Sequence, residues 1–164
     1  MKILDQALSI EQEGARFYRA LAKQSSDEGV IYIFSWLASQ EEKHYTVFQK
    51  MKKGAFGAID KDQTSRGVVD VFKAWKDSGE RLDVKTPQVE LYRKALAVEE
   101  ESIKLYAEGA RSASHEEAKA IFLWIAAEEK MHREIMENMI EFITKPDSWA
   151  ENAEFGYRGA EYYL

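Results

Sequence analysis

The feature that most constrains this chain is an internal repeat with an offset of 88 residues. Ala7-Leu8-Ser9-Ile10-Glu11 resembles Ala95-Leu96-Ala97-Val98-Glu99, and the same offset carries Tyr18 onto Tyr106, Ser26 onto Ser114 and Phe34 onto Phe122. It also carries Trp36 onto Trp124, Glu41 onto Glu129 and His44 onto His132. A fold for this sequence must therefore contain two copies of one unit. Each copy includes a Glu-x-x-His step, and these two steps use two of the three histidines in the chain.

The unit is a helical hairpin. In residues 3–24, Leu4, Leu8, Glu11, Ala15, Tyr18 and Ala22 recur at spacings of four and three, the seam of a bundle helix. Ser25 or Ser26 reads as the N-cap of a second helix that runs to about Lys53, with Val30, Phe34, Leu37, Glu41, His44, Phe48 and Met51 on its seam. Gly54 and Gly57 stop it. Thr86 and Pro87 read as the N-cap and first residue of a third helix reaching about Ser112. Its seam is Tyr92, Leu96, Glu99, Ile103, Tyr106 and Ala110. Ser114 and Glu117 form a capping box for a fourth helix, with Ala118, Phe122, Ile125, Glu129, His132, Met136, Met139 and Ile143 on its seam and Lys145-Pro146 at its end. Between the hairpins, residues 54–86 hold one short amphipathic helix from about Val68 to Asp77 and read as a crossover. The expectation is an all-α four-helix bundle over residues 1–146, built from two hairpins related by a pseudo-twofold axis. Residues 147–164 form an aromatic tail, with Trp149, Phe155, Tyr157, Tyr162 and Tyr163, packing on the bundle or on a partner subunit.

Charge and composition remove several alternatives. The net charge of −6 and the lack of any basic run argue against nucleic-acid binding. The sequence has no cysteine, which excludes disulfides, iron–sulfur clusters and thiol catalysis. Met1-Lys2-Ile3-Leu4-Asp5 opens no apolar targeting region, and no apolar run approaches the roughly 18–20 residues that span a bilayer. The expectation is a soluble, cytoplasmic protein without membrane contact.

With 29 acidic residues, a glutamate by itself carries no information. Glu11, Glu41, Glu99 and Glu129 stand out by phase, because each takes a seam position where its helix would otherwise place Leu or Ile against the core. His44 and His132 take the next seam positions. Glu13, Glu42, Glu100, Glu101 and Glu128 fall off this register and read as solvated or rim charges, and His115 reads as surface. Desolvating one unpaired carboxylate costs several kcal/mol or more, and like charges add to that. Such a bundle must protonate its acids or bind cations, and two divalent metals would supply the matching charge. Four carboxylates with two imidazoles suit iron or manganese better than zinc or calcium. Tyr18 and Tyr106, seven residues beyond Glu11 and Glu99, read equally as core aromatics or as hydrogen-bond donors to a ligand carboxylate. Trp36 and Trp124 read as packing residues.

This constellation resembles the rubrerythrin-like branch of the ferritin-like di-iron carboxylate proteins. The similarity lies in Ile10-Glu11-Gln12-Glu13-Gly14-Ala15-Arg16-Phe17-Tyr18, in residues 34–44 around Gln40-Glu41-Glu42-Lys43-His44, and in their repeats, over about residues 1–145. The resemblance implies a ferritin-like bundle holding two iron ions, with manganese or a mixed pair as alternatives. Glu41 and Glu129 would bridge the metals, Glu11 and His44 would complete one sphere, and Glu99 and His132 the other. It implies reduction of hydrogen peroxide or dioxygen by the di-ferrous centre, and a homodimer. Rubrerythrins carry a cysteine-ligated rubredoxin-like domain, so a chain without cysteine implies an external donor of the rubredoxin type. They also place a carboxylate three residues after the third-helix Glu, where this chain has Ser102. The alternatives are a ferritin-like ferroxidase that handles iron and a metal-free helical interaction protein. Ferritin cages add a short fifth helix after the bundle; with Pro146, Gly156 and Gly159, this tail does not look like one.

Overall fold

The computed structural model describes residues 2–57, 59 and 65–151. It contains α1 (Lys2–Gln24), α2 (Glu28–Lys52), α3 (Arg66–Ser78), α4 (Thr86–Ser112), α5 (Glu116–Thr144) and α6 (Pro146–Glu151), with no strand among the described residues. The chain folds as an all-α ferritin-like bundle. Most tertiary packing is within the hairpins, α1 on α2 and α4 on α5, followed by α1 on α4.

The apolar seams divide into two cores. One gathers Tyr18, Leu21, Ile33, Phe34, Leu37, Tyr92, Ile135, Met136 and Met139. The other gathers Ala7, Phe48, Met51, Tyr106, Phe122 and Ile125. On every bundle helix the glutamate or Glu-x-x-His step falls between the residues of the two cores, so a polar layer is enclosed between apolar ends. Each fully buried Phe or Leu contributes about 1.5–3 kcal/mol relative to exposure, and this is what holds the polar layer out of water.

The same partition sets the topology. α2 ends at the Phe48 core and α4 begins at the Tyr92 core, so residues 53–85 must travel the length of the bundle. α3 rides on this crossover and buries Val68, Phe72 and Trp75, spaced four and three apart, against the Phe34 core. Gly54 and Gly79 end α2 and α3 with φ of 75° and 65°, a left-handed conformation that a side chain disfavours.

Three helix starts differ from the sequence expectation. Asp27, not Ser25 or Ser26, caps α2, its Oδ1 accepting from Val30 N at 3.0 Å. A carboxylate adds charge to the capping bond at the positive end of the helix; Ser25 Oγ instead accepts from Asp27 N at 3.2 Å. α4 begins at Thr86 itself, with Lys85 in the cap position, and α5 follows His115, neither with a side-chain cap. The Ser114–Glu117 box does not form because α5 starts one residue later than that spacing requires.

After α5, Pro146 opens a helix of under two turns, where its fixed φ and missing N–H are tolerated. Trp149 on α6 is buried, packs on Phe142 at 4.7 Å between ring centroids, and donates from Nε1 to Asn138 Oδ1 at 2.9 Å. This part of the tail lies on its own bundle. Phe155, Tyr157, Tyr162 and Tyr163 lie outside the described residues, as do Ala58 and residues 60–64 of the crossover loop. No helix among the described residues is long and apolar enough to cross a membrane.

Candidate metal centre

The polar layer contains Glu11 from α1, Glu41 and His44 from α2, Glu99 from α4, and Glu129 and His132 from α5, all buried. They form two groups of four, Glu11, Glu41, His44 and Glu129, and Glu41, Glu99, Glu129 and His132. Within each group one ligand atom per residue lies within 4.8 Å of the others. Glu41 and Glu129 belong to both groups.

The ring nitrogens point at this shared region. His44 Nδ1 lies 2.8 Å from Glu129 Oε1 and 3.4 Å from Glu11 Oε2. His132 Nδ1 lies 3.0 Å from Glu41 Oε1, 3.3 Å from Glu129 Oε2 and 4.0 Å from Glu99 Oε2. None of these approaches has hydrogen-bond direction. Both nitrogens of each histidine, both oxygens of Glu129, Glu11 Oε2 and Glu41 Oε1 are buried without a hydrogen-bond partner. Buried donors and acceptors are almost always hydrogen-bonded, so a set of carboxylate oxygens and Nδ1 atoms held within ion-pair distance but without hydrogen bonds fits a pair of cations in the layer.

Electrostatics lead the same way. Burial, with Glu41 and Glu129 nearby, holds Glu11 well above the ordinary carboxylate range. Burial, with Glu129 and Glu41, does the same to Glu99. Burial opposes charge on the histidines, but the carboxylates outweigh it: His44 is raised well above its usual value and His132 to about 9. Burial would raise Glu129, yet Glu99 and the two histidines hold it well below the usual range. Without metal the layer keeps protons on some acids and both rings; divalent cations would displace them.

Around the ligand set the pseudo-twofold relation persists. Tyr18 donates its hydroxyl to Glu99 Oε1, and Tyr106 donates to Glu11 Oε1. Burial, then the neighbouring carboxylates, pushes both phenols well above their ordinary value, so they remain donors. The two readings of these tyrosines merge, since each ring is core and each hydroxyl orients a carboxylate. Trp36 sets its edge on His132 at 5.8 Å, and Trp124 on His44 at 5.9 Å, packing that holds each imidazole plane.

Three residues escaped the register argument. Glu128 is not simply a rim charge: it is half-buried, its Oε2 has no partner, and burial raises its pKa. Its repeat mate, Gln40, is buried with Oε1 unpartnered; the 88-residue offset was the available signal for that pair. Ser102 is buried while the seam residues Leu96 and Ile103 are half-buried, because α4 packs on α1 as well as α5 and so buries a face broader than one seam. Glu13, Glu42, Glu100, Glu101 and His115 are exposed.

The rubrerythrin family model matches residues 2–140. No curated protein and no solved structure matches the chain.

Proposed function

The chain belongs to the rubrerythrin family, and from that premise we propose that it is a di-iron oxidoreductase reducing hydrogen peroxide or dioxygen with electrons from an external donor. The observation that carries the reading is the sharing of Glu41 and Glu129 between two four-residue groups, which is the arrangement a dinuclear site needs. Glu11 and His44 would hold one iron, Glu99 and His132 the other, and Glu41 and Glu129 both. Two ferrous ions so held would supply the two electrons that, with two protons, turn hydrogen peroxide into two waters.

The protein's own part is positional. Tyr18 and Tyr106 fix the outer carboxylates of Glu99 and Glu11 by hydrogen bonds from the opposite hairpin. Trp124 and Trp36 keep His44 and His132 from rotating out of the layer. The apolar cores above and below exclude water, which strengthens every charge interaction inside. Ligands on four helices, each locked by packing, would hold two metals close together, as two-metal chemistry requires. Return to the reduced state needs an electron donor, proposed to be a rubredoxin-type protein, and the working unit is proposed to be a homodimer.

The test is to load the protein anaerobically with Fe(II) and mix it separately with hydrogen peroxide and with dioxygen, following ferric absorbance in the near ultraviolet. Fast oxidation by peroxide, slow oxidation by dioxygen and two irons per chain are expected. Preferential oxidation by dioxygen, with iron accumulating beyond two per chain, would replace this reading by a ferroxidase. No metal uptake, together with unchanged stability in Glu129→Ala, would overturn both.

A further inference from the structure

The pseudo-twofold symmetry of the bundle is broken at one place beside the metal layer. Gly14 on α1 and Ser102 on α4 are repeat mates. A Cβ at Gly14 would lie 2.8 Å from Glu41 Oε2, so the missing side chain leaves that carboxylate uncovered from the α1 side. Ser102 is buried and donates its Oγ to Val98 O at 3.0 Å, so the matching space on the other hairpin is occupied.

A cavity of about 310 Å³ opens where the side chain of Gly14 is missing. Ile10, Phe17 and Val98 form its apolar walls, and Glu41 and Glu99 lie at its floor. Glu13 and Glu101, also repeat mates, stand exposed at its rim together with Lys94. The seal of the metal layer is uneven in the same sense. The side chains of Glu41 and Glu99 keep 5% and 3% exposure, whereas those of Glu11, Glu129, His44 and His132 keep 0%. Both of these slightly exposed carboxylates belong to the group that contains His132.

We propose that the cleft between α1 and α4, opened by Gly14, is the entrance to the metal layer, and that it delivers small molecules to the Glu41–Glu99–His132 side. Its apolar walls suit a small uncharged oxidant of the hydroperoxide class, and its rim, with Glu13 and Glu101 against the single cation Lys94, keeps a net negative charge for a divalent cation on the way in. The entrance is one-sided because Ser102, buried at the repeat-related position on α4, carries the side chain that Gly14 lacks. This proposal rests on the metal-site reading given above.

The test uses cobalt uptake by the metal-free protein, followed by stopped-flow visible absorbance. Val98→Trp narrows the mouth at a wall residue that is 38% exposed, Ile10→Trp narrows it from the facing wall, and thermal unfolding verifies that each variant is folded. Either tryptophan variant is expected to slow uptake about tenfold, about 1.4 kcal/mol on the barrier, with two cobalt ions still bound at the end. Val98→Ala should be no slower than the parent. In iron-loaded protein, Ser102→Gly should lower the rate ratio of hydrogen peroxide to cumene hydroperoxide by opening the second side. Unchanged uptake rates in both folded tryptophan variants, with two ions bound, would overturn the entrance and leave the metal site standing. A parent chain that takes up no cobalt would overturn the metal site and the entrance together.

Discussion

Tyr18 and Tyr106 show how single residues tie the two hairpins together at the level of the ligands. Each phenol belongs to one hairpin and holds a carboxylate of the other. Outer-shell partners of this kind typically change metal affinity 10–100-fold. Tyr18→Phe should therefore weaken the ion held by Glu99 and His132 by about tenfold and leave the other binding step unchanged. Tyr106→Phe should do the reverse, at Glu11 and His44. Calorimetric titration with Mn(II) resolves the two steps; if neither moves in either variant, the hydroxyls serve packing alone. The six acidic and imidazole positions were legible in the sequence because a charged residue on an apolar seam conflicts with its own helix. Gly14 was not, since a small residue on a helix raises no such conflict until a neighbouring helix is in place.

At the scale of the element, the helices follow the apolar period closely, and their ends are where local rules compete. Ser25, Ser26 and Asp27 are all acceptable caps by residue type; Asp27, in extended backbone with φ −83° and ψ 125°, is the one whose side chain accepts from Val30 N. Asp27→Ala is expected to cost about 1 kcal/mol of stability, while Ser26→Ala should be close to silent, and chemical denaturation of the two variants checks it. α6 is the clearest case of tertiary control. Six residues starting at Pro146 have too few hydrogen bonds to persist alone, but Trp149 packs at a tilt against Phe142 and Phe72 and finds Asn138 for its N–H. Aromatic burial was legible from the tail's composition; the short helix that delivers it was not.

For the whole molecule, a buried polar layer between two apolar cores makes stability depend on what neutralises it. His132 is raised to about 9 from about 6.5 in an unfolded chain. Its contribution is then fully present below about pH 6.5 and lost as the pH rises through about 9, on the order of 3 kcal/mol. His44, Glu11 and Glu99 are raised as well, so their contributions are likewise lost on raising the pH. Glu129 is lowered, and its contribution is lost only toward acid. Metal-free protein is therefore expected to lose thermal stability steadily from pH 6.5 to 9. With Mn(II) bound the carboxylates and imidazoles are already deprotonated and compensated, so the decline should vanish or reverse. Melting curves across this range with chelator and with Mn(II) check it; parallel curves would show that the layer does not bind cations.

Sequence alone determined that four long helices form two like hairpins, and that four glutamates and two histidines face inward at one level. Both follow from periodicity and from the 88-residue repeat, which are local properties of the chain. It also determined that residues 54–86 connect the hairpins, because no seam of bundle length runs through them. Tertiary structure alone decided that the tyrosines cross between hairpins. It decided too that the layer is sealed more tightly on one side than on the other. These are relations between side chains 81 and 95 residues apart for the tyrosine contacts, and for Gly14 a distance to a residue on another helix. No spacing along one helix encodes how far a neighbouring helix is rotated or how closely it approaches, and those two quantities set which carboxylate meets which ring and where the bundle stays open.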